Sequence, residues 1–227
     1  HAERGVDVIK VMASGGLMTE GTRESQSQFT PDELSAIIDE AHHLGLPVTA
    51  HAHGTPAIVD SLAAGVDGLE HATFWTDDGI ESPDDVIAEI GERHLPVGAT
   101  AGLAPAPDFV LDEATSARLP AIIANVFRLR DAGATIVPGT DAGINPAKPH
   151  DVVRYAVEQQ VLLGMSTDEA LRSATSTGAA VCGLGDRKGR IAEGFDADVL
   201  AIDGDPLTDP GALHNIRAVF LRGEGLR

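Results

Sequence analysis

Short apolar runs alternate with helical patterns from the start of this 227-residue chain to about residue 140. Five runs, VDVIKVMA, PVTAH, DGLEH, LPVGAT and TIVPGTD, are each typical of a buried strand, and amphipathic segments separate them. Strands that alternate with helices predict βα units joined into a parallel sheet. The carboxyl ends of the five strands would then face one common mouth, where side chains from separate strands can meet.

Local signals predict where the first helices lie. The stretch TPDELSAIIDEAHHLG has Thr30 as N-cap, Pro31 at the first helical position and Gly45 as its end. A second helix is expected from about Pro56 to Ala64, and a third is expected to begin after Ser82 as its N-cap. A long helix is expected around RLPAIIANVFRLRDAG, just before the fifth strand.

After residue 141 the pattern changes to two helical stretches, HDVVRYAVEQQVLLG and STDEALRSATSTGAAVCG. The second opens with a capping box from Ser166 to Glu169, and Cys182 near its end is expected to be a small core residue. The remaining sequence consists of short β segments between Gly, Asp and Pro turns. We therefore predict two domains, an α/β part over residues 1–186 and a small β part over residues 187–227.

Composition limits the partners and the compartment. No apolar run approaches the roughly 20 residues that cross a bilayer, and no segment is typical of a signal peptide. The net charge of −19 argues against nucleic acid and anionic membranes as partners, because both would repel such a surface. The single cysteine cannot form an internal disulfide, which fits a reducing compartment and a cytoplasmic location.

Four residues with metal-binding or acid–base chemistry lie on separate predicted strands. They are Lys10 within VIKVMA, His51 ending VTAH, His71 ending GLEH and Asp141 ending VPGTD. Each has an ordinary explanation alone, since strand-end histidines are often structural and an aspartate can initiate a turn. A lysine inside an apolar strand is costly to bury unless it is paired or chemically altered. Together the four predict a site for zinc or a related divalent ion.

Several pieces of the chain carry a resemblance: IKVMASGG, TPDELSAIIDEAHHLGLPVTAHAHG, GVDGLEHAT, VPGTDAG and GRIAEGFDADVLAIDGDPL. In order and spacing they resemble the amidohydrolase superfamily, in its prolidase-like and imidazolonepropionase-like branch. The resemblance implies a (β/α)8 TIM barrel with a β-sandwich. It also implies that Lys10 is carboxylated and bridges two divalent metal ions, which we expect to be zinc. By the same resemblance, His51 and His71 bind the second ion, and Asp141 binds the first ion and handles protons.

The chain departs from the family pattern at one point. The family's His-x-His pair follows its first strand, and no such strand precedes Lys10 here. The HAH spelling from His51 to His53 matches the fifth strand in order, so it does not fill that role. We therefore expect an incomplete barrel of about strands 4 to 8. We also expect a homo-oligomer, or a pairing with a missing N-terminal portion that supplies the first histidines.

The resemblance implies hydrolysis of a C–N amide bond in a small peptide-like, dipeptide or N-acyl amino acid substrate, by a hydroxide that bridges the two ions. Asp141 would act as general base and then as general acid. His53 would contact the substrate, or else be a loop histidine facing solvent. Arg23, Arg154 and Tyr155 lie in segments that could bind a substrate carboxylate.

Three alternatives stay open at this point. The chain could belong to a deaminase or a cyclic-amide hydrolase of the same superfamily. Resemblance to the deaminases would imply a glutamate shortly after His51, and the stretch HAHGTP has none. The chain could also be an inactive half that needs its N-terminal portion. A phosphate-binding barrel without metal would need a Gly-rich loop near the last strands, and GTDAGINPAKPH is a poor candidate for one.

Overall fold

The computed structural model describes residues 2–16 and 18–226. The first residue of the predicted α/β part and the last residue of the predicted β part, residues 1 and 227, lie outside the described residues. The chain divides into two compact units. The first contains His1–Ala99 and Val110–Ile136, and the second contains Thr100–Phe109 and Val137–Arg227. The domain boundary that we predict after residue 186 is a separate expectation and stays a prediction.

The strands are β1 (Ile9–Met12), β2 (Val48–Gly54), β3 (Gly68–Trp75), β4 (Pro96–Gly98), β5 (Thr135–Val137), β6 (Val199–Ile202), β7 (Ile216–Leu221) and β8 (Glu224–Gly225). The α-helices are α1 (Pro31–His43), α2 (Thr55–Ala63), α3 (Asp84–Glu92), α4 (Glu113–Ala132), α5 (Val153–Leu162), α6 (Thr167–Ser173) and α7 (Ser176–Val181). Two short 3₁₀ helices span Ala2–Arg4 and Pro210–His214.

The first five strands form one sheet in the order β1-β2-β3-β4-β5. The pairs β1–β2, β2–β3 and β3–β4 are parallel, which confirms the predicted α/β architecture. Large apolar side chains from the helices and the sheet are fully buried, among them Leu34, Ile38, Ile58, Leu69 and Phe74. Because sequential parallel strands pair side by side, their carboxyl ends lie along one edge of the sheet.

The capping interactions at the starts of α1 and α3 confirm one prediction and contradict another. The Thr30 hydroxyl accepts a hydrogen bond from the Glu33 amide at 3.3 Å, and the Thr30 amide donates to the Glu33 carboxylate at 2.8 Å, so the predicted start of α1 is confirmed. The prediction of Ser82 as the cap of α3 is wrong. That helix begins at Asp84, and the Ser82 hydroxyl instead donates to Asn125 Oδ1 on α4 at 2.8 Å.

The second unit contains α5 to α7 and the antiparallel sheet β6-β7-β8, which confirms the predicted small β part. Its predicted second helical stretch is divided into α6 and α7, and the Ser166–Glu169 capping box at the start of α6 is confirmed. Cys182 is exposed, so the prediction of a core position is wrong. No helix in the described part of the chain is both long and apolar enough to cross a membrane.

Candidate metal and active site

Two buried histidines lie on β2. Alternate residues of a strand point to the same face, so His51 and His53 share one side of the sheet. Their ring centroids are 4.8 Å apart with the rings nearly perpendicular. The strand continues beyond His51 to Gly54, whereas the sequence suggested that His51 ends it. The pair therefore sits within the last part of a strand that is buried on both sides.

His71 joins this pair through an irregular backbone. In the register of the sheet it lies beside Ala52, whose side chain points away from the face that carries His51. His71 and Ala72 have φ values of 73° and 45°, in the left-handed region that costs a non-glycine residue about 1–2 kcal/mol. Its ring centroid nevertheless lies 4.5 Å from that of His51 and 4.2 Å from that of His53. Strain of this kind concentrates at functional sites.

The three imidazoles form a candidate metal site. Their potential ligand nitrogens all lie within 4.8 Å of one another, and all three residues are buried. Burial lowers the pKa of His53 to about 3, and the charges of His51 and then Lys10 act in the same direction. His53 is therefore neutral at physiological pH. Neutral imidazole is the form that binds divalent metal ions, so this donor set fits such an ion.

Hydrogen bonds orient the rings. His51 Nε2 lies 3.2 Å from the carbonyl oxygen of Gly15, which can only accept, so Nε2 carries the hydrogen and the ligand lone pair is on Nδ1. His53 Nδ1 lies 2.9 Å from Thr73 Oγ1 on β3. Partners of this kind fix the orientation of imidazole ligands in metal sites. Sequence reasoning missed Thr73, although its place two residues after His71 is a signal.

Ser14 is a second residue that sequence reasoning missed. Its side chain is fully buried, and its hydroxyl accepts from the His53 amide at 2.9 Å and donates to the Gly15 carbonyl at 2.9 Å. Its own amide donates to the His51 carbonyl at 3.1 Å. Ser14 therefore connects the end of β1 to both histidines of β2. The available signal was its position as the first polar residue after the apolar run VMA.

Two glycines allow the loop between β1 and α1 to pass over the strand ends. A Cβ on Gly15 would lie 2.5 Å from backbone atoms of Arg23, and one on Gly54 would lie 2.7 Å from the Glu24 carbonyl oxygen. Real side chains do not approach backbone so closely, so glycine is required at both positions. Arg23 on this loop forms an exposed ion pair with Asp77 at 2.7 Å, and its predicted role in carboxylate binding stays a prediction.

Lys10 shares the face of the sheet that carries the histidines. It lies beside Thr49 across the register of β1 and β2, and Met12 lies beside His51. Because Thr49 and His51 are two residues apart, all four side chains belong to one face. Lys10 is exposed rather than buried, and its charge contributes to the lowered pKa of His53. The first unit thus brings together Lys10 and the three histidines.

Glu70 is a third residue that the sequence analysis did not select. It lies beside His51 across the register of β2 and β3, and its carboxylate accepts a hydrogen bond from Thr49 Oγ1 at 3.2 Å. A Cβ on Gly98 would lie 1.9 Å from Glu70 Oε2, so the carboxylate packs directly over the backbone of β4. The missed signal was an acidic residue immediately before His71 inside an otherwise apolar strand.

Asp141 belongs to the second unit. Strand β5 ends at Val137, so Asp141 lies in the loop that follows rather than at the strand end itself, and it is exposed with a φ of 54°. Its participation in the histidine cluster of the first unit stays a prediction. Arg154 on α5 forms an ion pair with Asp151, and its guanidinium lies 5.4 Å from the ring centroid of Tyr155.

Comparisons with known proteins place this site in a family context. The sequence model described as "Amidohydrolase family" matches residues 1–225. The chain is 32% identical over 227 residues to an ochratoxinase of Aspergillus niger, covering 95% of this chain and 45% of that protein. It is 29% identical over 205 residues to an imidazolonepropionase of Thermoplasma volcanium, covering 87% of this chain and 46% of that protein. The chain spans about half the length of the curated relatives it matches.

Solved structures show the same fold. The crystal structure of the A. niger ochratoxinase matches with a TM-score of 0.83 at 28% identity, covering 99% of this chain and 52% of that one. A Xaa-Pro dipeptidase with bound methionine in its active site matches with a TM-score of 0.82 at 25% identity, covering 99% of this chain and 55% of that one. The five-stranded parallel sheet and its helices therefore correspond to part of a (β/α)8 barrel.

Proposed function

Since the chain belongs to the amidohydrolase family, we propose that it contributes to metal-dependent hydrolysis of a C–N amide bond in a peptide-like or N-acyl amino acid substrate. The observation that carries this proposal is the buried cluster of His51, His53 and His71, whose imidazole nitrogens lie within 4.8 Å of one another. In this cluster His51 and His71 would bind metal and His53 would face the substrate. The substrate class draws on the Xaa-Pro dipeptidase, whose name describes cleavage of a dipeptide.

The proposed metal content is two zinc ions. His51 and His71 would hold one ion, with His51 binding through Nδ1 while its Nε2–H donates to the Gly15 carbonyl oxygen. Imidazole and carboxylate donors suit zinc, and three protein ligands that leave one position open are typical of catalytic zinc. When bound, the metal supplies Lewis acidity toward the substrate carbonyl and lowers the pKa of water.

Lys10 would bridge the two ions as a carbamate. Its side chain is exposed on the same face as His51, so carbon dioxide can reach the amine. Once the ammonium has lost a proton, the neutral amine adds carbon dioxide and releases a second proton, so that a cation is replaced by an anionic oxygen donor. This modification would also remove the positive charge that Lys10 places near His53. An anionic donor beside neutral imidazoles is the combination that a divalent cation stabilises.

His53 and Asp141 would act on the substrate. In our proposal the Thr73 hydroxyl donates to His53 Nδ1, which places the imidazole hydrogen on Nε2, where it donates to the carbonyl of the scissile amide. Asp141 would accept the proton of the attacking water and deliver it to the leaving amine, as general base and then general acid. The carboxylate would also be a ligand of the first metal ion.

Metal removal tests this proposal. We expect the native polypeptide that carries these residues to lose turnover of N-acyl amino acids and dipeptides after dialysis against a chelator, and to regain it when Zn²⁺ is added back. Turnover is followed by the amine released, and metal content by mass spectrometry. Full turnover with no detectable metal would contradict the proposal. Hydrolysis of cyclic amides alone would instead favour the imidazolonepropionase-like alternative.

Pairing is part of the proposal, because five parallel strands do not close an eight-stranded barrel and β1 lies at the edge of the described sheet. We propose that these 227 residues alone form a homo-oligomer, or pair with the portion that carries the remaining strands. Gel filtration of the 227-residue chain is expected to show a dimer or larger species, which co-expressed N-terminal portion converts to a one-to-one complex. A stable monomer that does not bind the co-expressed N-terminal portion would contradict the pairing.

A cytoplasmic location completes the proposal. Cys182 is an exposed free thiol in the second unit, and exposed thiols persist in reducing compartments.

A further inference from the structure

The side chain of Lys148 joins two loops of the second unit. Its Nζ donates to the carbonyl oxygen of Thr100 at 2.6 Å and to that of Thr140 at 2.8 Å. Thr100 lies in the segment that follows β4, and Thr140 lies in the loop that follows β5, immediately before Asp141. One ammonium group therefore holds together two chain segments that are forty residues apart in the sequence.

Both segments have backbone conformations that need support. Thr100 and Asp141 have φ values of 48° and 54°, in the left-handed region that non-glycine residues rarely adopt. Such conformations persist where surrounding contacts determine them. The Ala101 amide donates to the Pro138 carbonyl at 3.0 Å, and the Gly143 amide donates to the Lys148 carbonyl at 2.6 Å. The loop that carries Asp141 is thus closed by the backbone of Lys148 and anchored by its side chain.

The charges around Lys148 agree with this arrangement. Its side chain is half-buried, and burial lowers the pKa of the ammonium, while the charge of Asp141 opposes that shift. The hydrogen bonds from Nζ to Thr100 and Thr140 go to backbone carbonyl oxygens, so they hold the backbone of both segments in place. Charge-assisted bonds of this type are shorter and stronger than neutral ones.

We propose that Lys148 is a positioning residue for Asp141: by tying the Thr140 carbonyl to the Thr100 carbonyl, it holds the Asp141 backbone in the conformation that directs the carboxylate. The inference rests on the proposed function insofar as Asp141 handles the proton. Lys148 acts through the loop backbone and does not itself transfer a proton.

The first test is Lys148→Met in the native polypeptide, a change that keeps the length of the side chain and removes the ammonium. We expect kcat to fall by about 10- to 100-fold with KM unchanged, since small displacements of a catalytic group have effects of that size. Amide hydrogen exchange should accelerate in residues 98–104 and 138–146 and stay unchanged in β2 and β3. Lys188→Met, which removes an ammonium that is paired with Asp196 and Asp198 elsewhere in the same unit, should leave kcat unchanged.

The second test is chemical rescue. In a Cys182→Ser background, Lys148→Cys should show the same losses as Lys148→Met. Alkylation with 2-bromoethylamine forms a C–S bond with loss of bromide and a proton, and it restores an ammonium at the end of a lysine-length side chain. We expect it to recover kcat and the slow exchange. Alkylation with iodoacetamide adds a neutral amide of similar size and should recover neither.

The outcomes separate this inference from the proposed function. If the unaltered polypeptide hydrolyses no C–N substrate, the proposed function fails, and the exchange measurements still decide the role of Lys148. An unchanged kcat in Lys148→Met would overturn the inference. So would an increase in exchange spread evenly over the second unit, because that result would indicate general structural support rather than local positioning of Asp141.

Discussion

Replacing His71 with alanine is expected to eliminate bound metal and to lower kcat/KM by more than about 100-fold, because even residues that merely orient a metal ligand contribute ~10- to 100-fold. The His71 ring lies within 4.5 Å of both other imidazole rings, so its loss opens the centre of the cluster. The same result is expected for His51→Ala and for Lys10→Ala, since each would remove a ligand.

The measurements are metal content by mass spectrometry and turnover of an N-acyl amino acid by the native polypeptide. His43→Ala is the matched control, because His43 is an exposed histidine at the end of α1. It should bind as much metal as the unaltered protein and hydrolyse substrate at the same rate. A His71→Ala protein that keeps both metal and turnover would show that the histidine cluster is not the metal centre.

Loss of turnover could also follow from unfolding, and the backbone at His71 makes this a serious alternative. His71 has a left-handed φ that histidine adopts more readily than alanine does, so His71→Ala adds some backbone strain as well as removing the ligand. His71→Asn offers a second variant, because asparagine adopts this region more readily and lacks the imidazole. Thermal unfolding of His71→Asn should match that of the metal-depleted unaltered protein if the loss is one of ligation, and His71→Ala should unfold at a slightly lower temperature.

Features set by neighbouring residues in sequence were predictable. The α1 cap depends on Thr30 and Glu33, which lie in one helical turn, and nothing distant competes for either side chain. The start of α3 depended on distant residues. Ser82 has the chemistry of an N-cap, but Asn125 and Arg128 of α4 bind its hydroxyl once the two helices pack together. Local propensity cannot reveal such a competition.

The candidate site shows the same division. Alternation along β2 was enough to place His51 and His53 on one face, because it depends only on the strand period. The direction of His71 was not predictable from that period, since it depends on left-handed backbone at His71 and Ala72 that the surrounding structure maintains. The role of Ser14 was not predictable for a related reason, because it depends on two hydrogen bonds, with the His53 amide and the His51 carbonyl, that exist only when β1 lies beside β2.

Replacing Asp141 with asparagine is expected to lower kcat by about 10²- to 10⁴-fold, the range that general acid–base catalysis supplies. Asparagine is nearly the same size as aspartate and adopts left-handed backbone readily, so it preserves the φ of 54° while removing the group that accepts the proton. Asp141→Ala removes the same carboxylate and adds conformational strain. The comparison therefore separates the chemical role of Asp141 from its structural role.

Single-turnover kinetics with an N-acyl amino acid would measure this step, and thermal unfolding would monitor the fold. We expect both variants to lose turnover, with Asp141→Asn unfolding at the same temperature as the unaltered protein and Asp141→Ala slightly lower. Asp186→Asn, which alters an exposed aspartate of the same unit, should change neither quantity. Normal turnover in Asp141→Asn would refute proton transfer by this carboxylate, whatever the alanine variant does, because asparagine cannot accept the proton of an attacking water.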